Sequence, residues 1–182
     1  MESKYNQTSP LVYIKGLHRQ TDGYITFFKK LEDNQVKQYH YKLEEITEDL
    51  LKDWVDYDTY ISLNSFFIPK RGNVHLRKIY NLYVDLDCYN VGMSPEEVLV
   101  ALNNDFFGSV LPVPNMVLHS GRGLGLIWHI EAISGLAIER WMVVQRAIDE
   151  QLKQFGADSS VTTDASRVFR LPASVNSKSN EI

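Results

Sequence analysis

Short blocks of alternating hydrophobic and polar residues run along most of the chain, and they predict both strands and helices. Predicted strands lie at 24–28, 36–41, 59–63, 79–86, 116–119, 124–130 and 167–171. Helical spacing of apolar residues predicts helices at 43–54, at 94–106 and over a stripe from Ile138 to Phe155. Ser94 begins a capping sequence with proline and glutamate after it, and Gly156 is placed to end the last helix.

The order of elements predicts an α+β fold. From residue 79 the order is strand, helix, strand, turn, strand, helix, strand, as in a split βαββαβ ferredoxin-like unit. We therefore expect residues 76–182 to form an RRM-like module and residues 1–75 to form a smaller α/β unit packed against it. At 182 residues the two suit one compact domain. The polar C-terminal tail stops abruptly, which predicts a longer natural protein.

Composition narrows the function classes. The chain is 44% hydrophobic and 23% charged, as in soluble globular proteins. Its net charge of −4 argues against a protein that coats DNA, although a local basic groove is compatible with it. Cys88 is the single cysteine, so no internal disulfide forms. We see no membrane-length apolar run and no signal-peptide core, so we expect a cytoplasmic protein without a membrane partner.

Asp85 and Asp87 are the most informative residues. They lie two apart in an apolar predicted strand, so both carboxylates project from one face. Like charges this close raise each other's pKa unless a cation lies between them. Such a pair can hold Mg²⁺ or Mn²⁺ for phosphoryl transfer, and the alternative is a solvated strand edge.

A glycine-rich turn between two predicted strands is the second candidate. Gly121 and Gly123 allow backbone N–H groups to turn toward an anion, Ser120 adds a hydroxyl, and Arg122 adds a forked cation suited to phosphate. The pattern predicts a cradle for a nucleoside triphosphate. An ordinary hairpin with an arginine facing solvent is the alternative.

A third candidate is an acidic segment followed by basic residues near the C-terminus. It contains Asp158, Asp164, Arg167, Arg170 and Lys178. An acid followed by cations suits a further metal ligand beside phosphate-binding groups. A solvated loop of mixed charge is the alternative.

In this order the three motifs resemble the archaeo-eukaryotic primase superfamily, in particular the primase-polymerase domains of plasmid and phage replication proteins. The resemblance covers about residues 60 to 178 and implies the primase fold. It also implies DNA-templated synthesis or extension of primers from NTPs or dNTPs on single-stranded DNA, in the replication of a plasmid or other mobile element. A helicase or a C-terminal DNA-binding domain is an expected partner.

The resemblance also implies roles for individual residues. Asp85 and Asp87 correspond to paired ligands of a two-metal Mg²⁺ or Mn²⁺ site, Asp158 corresponds to the third ligand, and Asp164 is its rival. The residues that correspond to nucleotide-binding positions are Ser120, Gly121, Arg122, Gly123, Arg167, Arg170 and Lys178. Contacts to DNA are expected from Lys70 and Arg71.

One position departs from the family pattern. Gly125 stands where the family usually has a histidine, so the triphosphate would lose a contact. This leaves open a primase-like module that binds DNA in replication initiation without catalysis. A metal-dependent nuclease that uses the same carboxylates is a third possibility.

Overall fold

A computed structural model describes residues 8–31, 35–160 and 164–177 of the chain. The helices are α1 (Pro10–Leu17), α2 (Glu48–Lys52), α3 (Pro95–Ala101) and α4 (Ile138–Leu152). The strands are β1 (Ile25–Lys30), β2 (Val36–Tyr41), β3 (Thr59–Ser62), β4 (Ser65–Phe66), β5 (Leu76–Leu86), β6 (Met116–His119), β7 (Leu124–Ser134) and β8 (Val168–Arg170). Short 3-10 turns lie at Leu43–Glu45, Asn73–His75, Cys88–Val91, Gly135–Ala137 and Lys153–Phe155, and a π-helical turn lies at Leu102–Phe106. Helices and antiparallel sheets occur together, which confirms the α+β class.

The chain divides into two compact units, and the boundary falls within β5. The first unit contains the described residues up to Lys78 and from Ser166 onward, and the second contains those of Ile79–Ala165. The prediction placed the boundary at residue 75 and the whole C-terminal part in the second module. The structure differs because β8 pairs with β3 and therefore belongs to the first unit.

The first unit is built on a sheet with the strand order β2-β1-β3-β8. One face of this sheet is apolar: Phe27 and Ile61 are neighbours on it and are fully buried. Helix α1 begins where the Ser9 side chain accepts a hydrogen bond from the N–H of Val12. In this unit β4 also pairs with the first residues of β5.

The helix predicted at 43–54 is interrupted in the structure. Ile46 has an extended backbone, so the segment forms a 3-10 turn and then the five-residue α2. Thr47 caps α2 by accepting the N–H of Leu50 over 3.2 Å. A threonine that caps a new helix start competes with continuation of the preceding turn, which the apolar spacing alone did not reveal.

The second unit contains β5 from Ile79 onward, followed in the sheet by β7 and then β6. The predicted cap of α3 is confirmed, since Ser94 and Glu97 exchange side chain–backbone hydrogen bonds. Helix α4 continues into a 3-10 turn that ends at Gly156, whose φ of +85° confirms the predicted glycine stop. In a ferredoxin-like sheet the last strand would lie beside β5, but other groups of the second unit bond to that edge, as described below.

Within the residues that the structure describes, no helix is both long enough and apolar enough to cross a membrane.

Candidate active site

The edge of β5 away from β7 is completed by α4 and by the chain after it. The side-chain amide of Gln145 accepts the N–H of Tyr83 over 2.9 Å and donates to the carbonyl of Tyr83 over 2.7 Å. Upstream, Trp141 Nε1 donates to the carbonyl of Asn81 over 2.9 Å. Side chains of α4 thus satisfy backbone groups that a neighbouring strand would otherwise pair.

Downstream, the same edge pairs with the segment 156–158. Asp158 donates its N–H to the carbonyl of Asp85, and Asp87 donates its N–H to the carbonyl of Gly156, each over 2.9 Å. Leu86 and Ala157 form the antiparallel bridge between these bonds. Direct partners in an antiparallel pair project to the same face, and so do residues two apart on one strand. The Cβ atoms of Asp85, Asp87 and Asp158 therefore share one face, which we call the acid face.

Gly156 permits this close pairing. A Cβ atom at Gly156 would lie 2.5 Å from the backbone oxygen of Asp87, and the positive φ adds to the need for glycine. The sequence identified this glycine only as a helix stop. It also allows the third acid to reach the strand that carries the first two.

The carboxylate of Asp158 is held by the residue two positions on. Its Oδ1 accepts the N–H of Ser160 over 2.9 Å, and its Oδ2 accepts the hydroxyl of Ser160 over 2.8 Å. The neighbouring Ser159 donates its hydroxyl to Asp149 Oδ2 over 2.8 Å. Asp149 lies on α4 and is 5% exposed, so a buried carboxylate anchors the turn that contains the third acid.

The glycine turn lies against the end of β5. It joins β6 to β7, and the N–H of Ser120 donates to the carbonyl of Gly123 over 3.0 Å. A Cβ atom at Gly123 would lie 2.2 Å from the carbonyl oxygen of Leu86, so only glycine fits there. The N–H of Gly121 donates to His119 Nδ1 over 3.2 Å. Two of the amides predicted to face an anion are therefore bonded within the turn.

Arg122 stands at the exposed tip of this turn, within reach of the residues that follow Asp87. Its guanidinium carbon lies 4.9 Å from the centre of the Tyr89 ring, which is 50% exposed. Because Tyr89 follows Asp87 by two residues, this contact places a cation in the region of the acid face. Sequence spacing alone could not show that the two motifs meet.

Cys88 follows Asp87 directly in the chain. The pKa of its thiol is raised to about 11, chiefly by burial and also by the charges of Asp85 and Asp87, while hydrogen bonds from the backbone of Cys88 and Leu124 act in the opposite direction. The side chain is fully buried. Cys88 is therefore a packed thiol, in agreement with its position in an apolar run.

The ligand atoms of the acid face are of the type that binds a hard divalent cation. It offers carboxylate oxygens, which Mg²⁺ and Mn²⁺ prefer to nitrogen and sulfur ligands. Across 8–31, 35–160 and 164–177, however, no three side chains of the His, Cys, Asp and Glu types converge as ligands of one metal ion. The backbone brings the three aspartates to one face, and the Asp158 carboxylate is directed to Ser160.

Asp164, the rival third acid, has a different setting. Its backbone carbonyl accepts the hydroxyl of Tyr83 over 2.6 Å. Asp158, by contrast, is the direct backbone partner of Asp85. This geometry favours Asp158, and the choice between the two stays a prediction.

The remaining predicted residues that the structure describes lie in the first unit. Arg170 donates to Asp58 Oδ1 over 3.0 Å, to the carbonyl of Val175 over 3.1 Å and to the hydroxyl of Tyr60 over 3.0 Å. Its guanidinium thus already bonds to three groups of its own unit. Arg167 is half-buried, and its carbonyl accepts the N–H of Leu63.

Of the two residues predicted to contact DNA, Lys70 is exposed and Arg71 is half-buried. Arg71 donates to the carbonyl of Ser166 over 3.1 Å. Lys178, predicted to bind nucleotide, lies outside the described residues. The binding roles of these residues stay predictions.

Sequence reasoning missed Gln145 and Asp149 as supports of this site. Both fall on the inner stripe of α4 between Trp141 and Leu152, and all four are buried. Two polar residues four apart on an otherwise apolar helical face were a signal of buried hydrogen bonding. Their partners on β5 and in the turn after α4 could not be read from spacing.

Comparison with known proteins relates the chain to a protein of replication. No family model matches the chain, and no solved structure matches it significantly. A curated protein from Clostridium perfringens, named "Replication protein", is 39% identical over 170 residues. The match covers 93% of this chain and 41% of the relative, so the chain spans about two fifths of the length of that protein. The chain is therefore related to part of a replication protein.

Proposed function

We propose that this chain is the nucleotidyltransferase part of a replication protein, which makes or extends primers on single-stranded DNA. The observation that carries the proposal is the pairing of Asp158 with Asp85, because it places a third acid on the face of the Asp85–Asp87 pair. The relationship to a replication protein supports the choice of DNA synthesis among the reactions that metal-binding carboxylates can serve. The resemblance to archaeo-eukaryotic primases supports the same choice.

In this proposal Asp85, Asp87 and Asp158 hold one or two Mg²⁺ or Mn²⁺ ions. The chemistry supplied by ions held there would be activation of a hydroxyl nucleophile and neutralisation of charge on pyrophosphate. Arg122 attracts the phosphates of the incoming nucleotide, because it is an exposed cation held near the acid face by Tyr89. Ser160 orients the Asp158 carboxylate through two hydrogen bonds.

The experiment is incorporation of labelled NTPs or dNTPs on single-stranded DNA with Mg²⁺ or Mn²⁺, with and without a primer. Wild-type protein is compared with Asp85→Ala and with Asp105→Asn, an exposed acid on the π-helical turn of the same unit. We expect wild-type protein and Asp105→Asn to form product. Asp85→Ala should lose product about a thousandfold with its fold retained.

Two other outcomes of this experiment would reject the proposed reaction. Undiminished synthesis by Asp85→Ala would reject the acid face as the catalytic site. Loss of labelled DNA in a reaction without nucleotides would instead identify a nuclease that uses the same carboxylates.

One observation favours a second candidate, a primase-like module that binds DNA without turnover. Gly125 lies opposite Leu118 in the β6–β7 pair and supplies no side-chain donor, and the N–H of Gly121 is bonded to His119. Phosphate contacts at the turn are thereby reduced. Tight binding of single-stranded DNA with no incorporation under any condition would support this candidate.

A further inference from the structure

Aromatic and polar side chains form a continuous row across the sheet of the first unit. In the strand register, Gln38 of β2 lies opposite Phe28 of β1, Phe28 opposite Tyr60 of β3, and Tyr60 opposite Arg170 of β8. Direct cross-strand partners project to the same face. These four residues therefore cross all four strands on the face opposite the apolar core, and we call them the aromatic row.

The two rings of the row are neighbours and are partly open to solvent. The centres of Phe28 and Tyr60 are 5.9 Å apart with the ring planes at 79°. Both residues are half-buried, whereas Gln38 at the end of the row is exposed. A core sheet face would bury such rings completely, as the opposite face does with Phe27.

Three cations surround these two rings. Lys30 Nζ lies 5.6 Å from the centre of the Tyr60 ring, Arg170 Cζ lies 4.9 Å from it, and Arg71 Cζ lies 5.8 Å from the centre of Phe28. In the part of the chain that the structure describes, the carboxylate that bonds into this set is that of Asp58, which pairs with Arg170 at 3.0 Å. The set is therefore positive, although the chain as a whole carries a net charge of −4.

We propose that the aromatic row, with Lys30 and Arg71, binds single-stranded DNA. Unpaired bases stack on aromatic rings and on guanidinium planes without regard to sequence, and the flanking cations neutralise the phosphates. Three cations beside two aromatic rings match the phosphates and bases of a nucleic acid better than they match the surface of a protein partner. The choice of DNA as the occupant rests on the proposed role in replication, but the binding itself requires neither the acid face nor a metal ion.

The test is fluorescence anisotropy with a labelled 20-nucleotide dT strand, in EDTA and without nucleotides. We expect Phe28→Leu to weaken binding about tenfold, because it keeps the apolar volume and removes the stacking ring. Lys30→Gln should lower the slope of log affinity against log salt by about 0.7, the value for one phosphate contact on a single strand.

The matched control is Tyr39→Leu, which removes a 47% exposed ring from the opposite face of the same sheet. The proposal predicts unchanged binding for this variant. Loss of binding in Tyr39→Leu with none in Phe28→Leu would overturn the assignment to the aromatic row. Equal binding of a 20-base-pair duplex would exclude stacking, and tighter binding of the matched RNA would overturn DNA as the occupant.

The DNA-binding test and the nucleotide-incorporation test can succeed or fail independently of each other. Nucleotide incorporation can fail while Phe28→Leu still weakens binding in EDTA, which would leave the aromatic row supported. Incorporation on DNA with Phe28→Leu binding unchanged would leave the reaction supported and reject the row. Circular dichroism and thermal unfolding of each variant ensure that the comparison is made between folded proteins.

Discussion

Asp158 and Asp85 are direct backbone partners, joined by a hydrogen bond of 2.9 Å from the N–H of Asp158 to the carbonyl of Asp85. The two residues are 73 positions apart in the chain, so neither local spacing nor helical periodicity relates them. Their pairing converts a pair of acids on one strand into a set of three on one face. The candidate site depends on the groups that hold this pairing in place.

Replacement of Gly123 should disturb the fold more than replacement of a glycine in open space. A Cβ atom at Gly123 would lie 2.2 Å from the carbonyl oxygen of Leu86, so Gly123→Ala should cost on the order of 3 kcal/mol of unfolding free energy. Gly92→Ala is the control, since Gly92 has a φ of +71° with no atom near its missing Cβ, and it should cost about 1 kcal/mol. Equal losses in urea unfolding would show that the turn does not depend on this close approach.

Gln145 should be a stabilising residue of the second unit. Gln145→Leu removes both partners of the buried Tyr83 backbone, and each unpaired group costs about 1 to 3 kcal/mol. We expect a loss of about 2 to 4 kcal/mol in urea unfolding. The same change at Gln151, exposed on the same helix, should alter stability by less than about 0.5 kcal/mol. A small effect at Gln145 would mean that water or movement of the strand replaces the amide.

His40 should make the stability depend on pH below neutrality. Burial lowers the pKa of its imidazole, and the positive charge of Arg71 adds to this. Between that lowered pKa and the ordinary value near 6.5, the unfolded chain binds more protons, so stability falls as the pH drops through this interval. His40→Gln should flatten the dependence in urea unfolding between pH 5 and 7.5.

The cause of the His40 shift can be checked separately. In Arg71→Gln, an NMR titration should show the pKa of His40 closer to its ordinary value, because one of the two lowering effects is gone. An unchanged titration would assign the whole shift to burial. Equal pH dependence of stability in wild type and His40→Gln would refute the first prediction.

Divalent ions should stabilise the wild-type protein through the acid face. Three like charges on one face repel, so in EDTA Asp85→Asn should be more stable than wild type by about 0.5 kcal/mol. Addition of Mn²⁺ at ten times its Kd should stabilise wild type by about 1.4 kcal/mol. Thermal unfolding measures both effects.

The control for this prediction is Asp105→Asn, an exposed acid of the same unit. It should respond to Mn²⁺ as the wild type does, whereas Asp85→Asn should respond weakly. Identical responses of all three proteins would place the ion elsewhere.

Local patterns in the sequence predicted the parts of the site but not their assembly. The shared face of Asp85 and Asp87 follows from strand geometry, and the capping box at Ser94 and the glycine stop at Gly156 are local signals. The pairing of β8 with β3 was not predictable, because the sequence of a three-residue strand does not indicate which strand it pairs with. The edge of β5 where β8 was expected bonds to Gln145 and to the segment 156–158.

The residues that support the candidate site were also not predictable from local sequence patterns. Asp149 and Gln145 differ from solvated helix residues only in their burial, which depends on partners far along the chain. In the sequence, Phe28 and Tyr60 are two aromatic residues of separate predicted strands. The strand register of the structure makes them direct neighbours. Long-range pairing, rather than residue type, decides which residues act together.

The most direct test of the central claim compares nucleotide incorporation on primed single-stranded DNA by wild type, Asp85→Asn, Asp158→Asn and Asp164→Asn. The three-acid face predicts loss of about a thousandfold in the first two variants and activity near that of wild type in Asp164→Asn. Retained activity in Asp158→Asn, with loss in Asp164→Asn, would contradict the assignment of the third acid. Retained activity in Asp85→Asn would contradict the site as a whole.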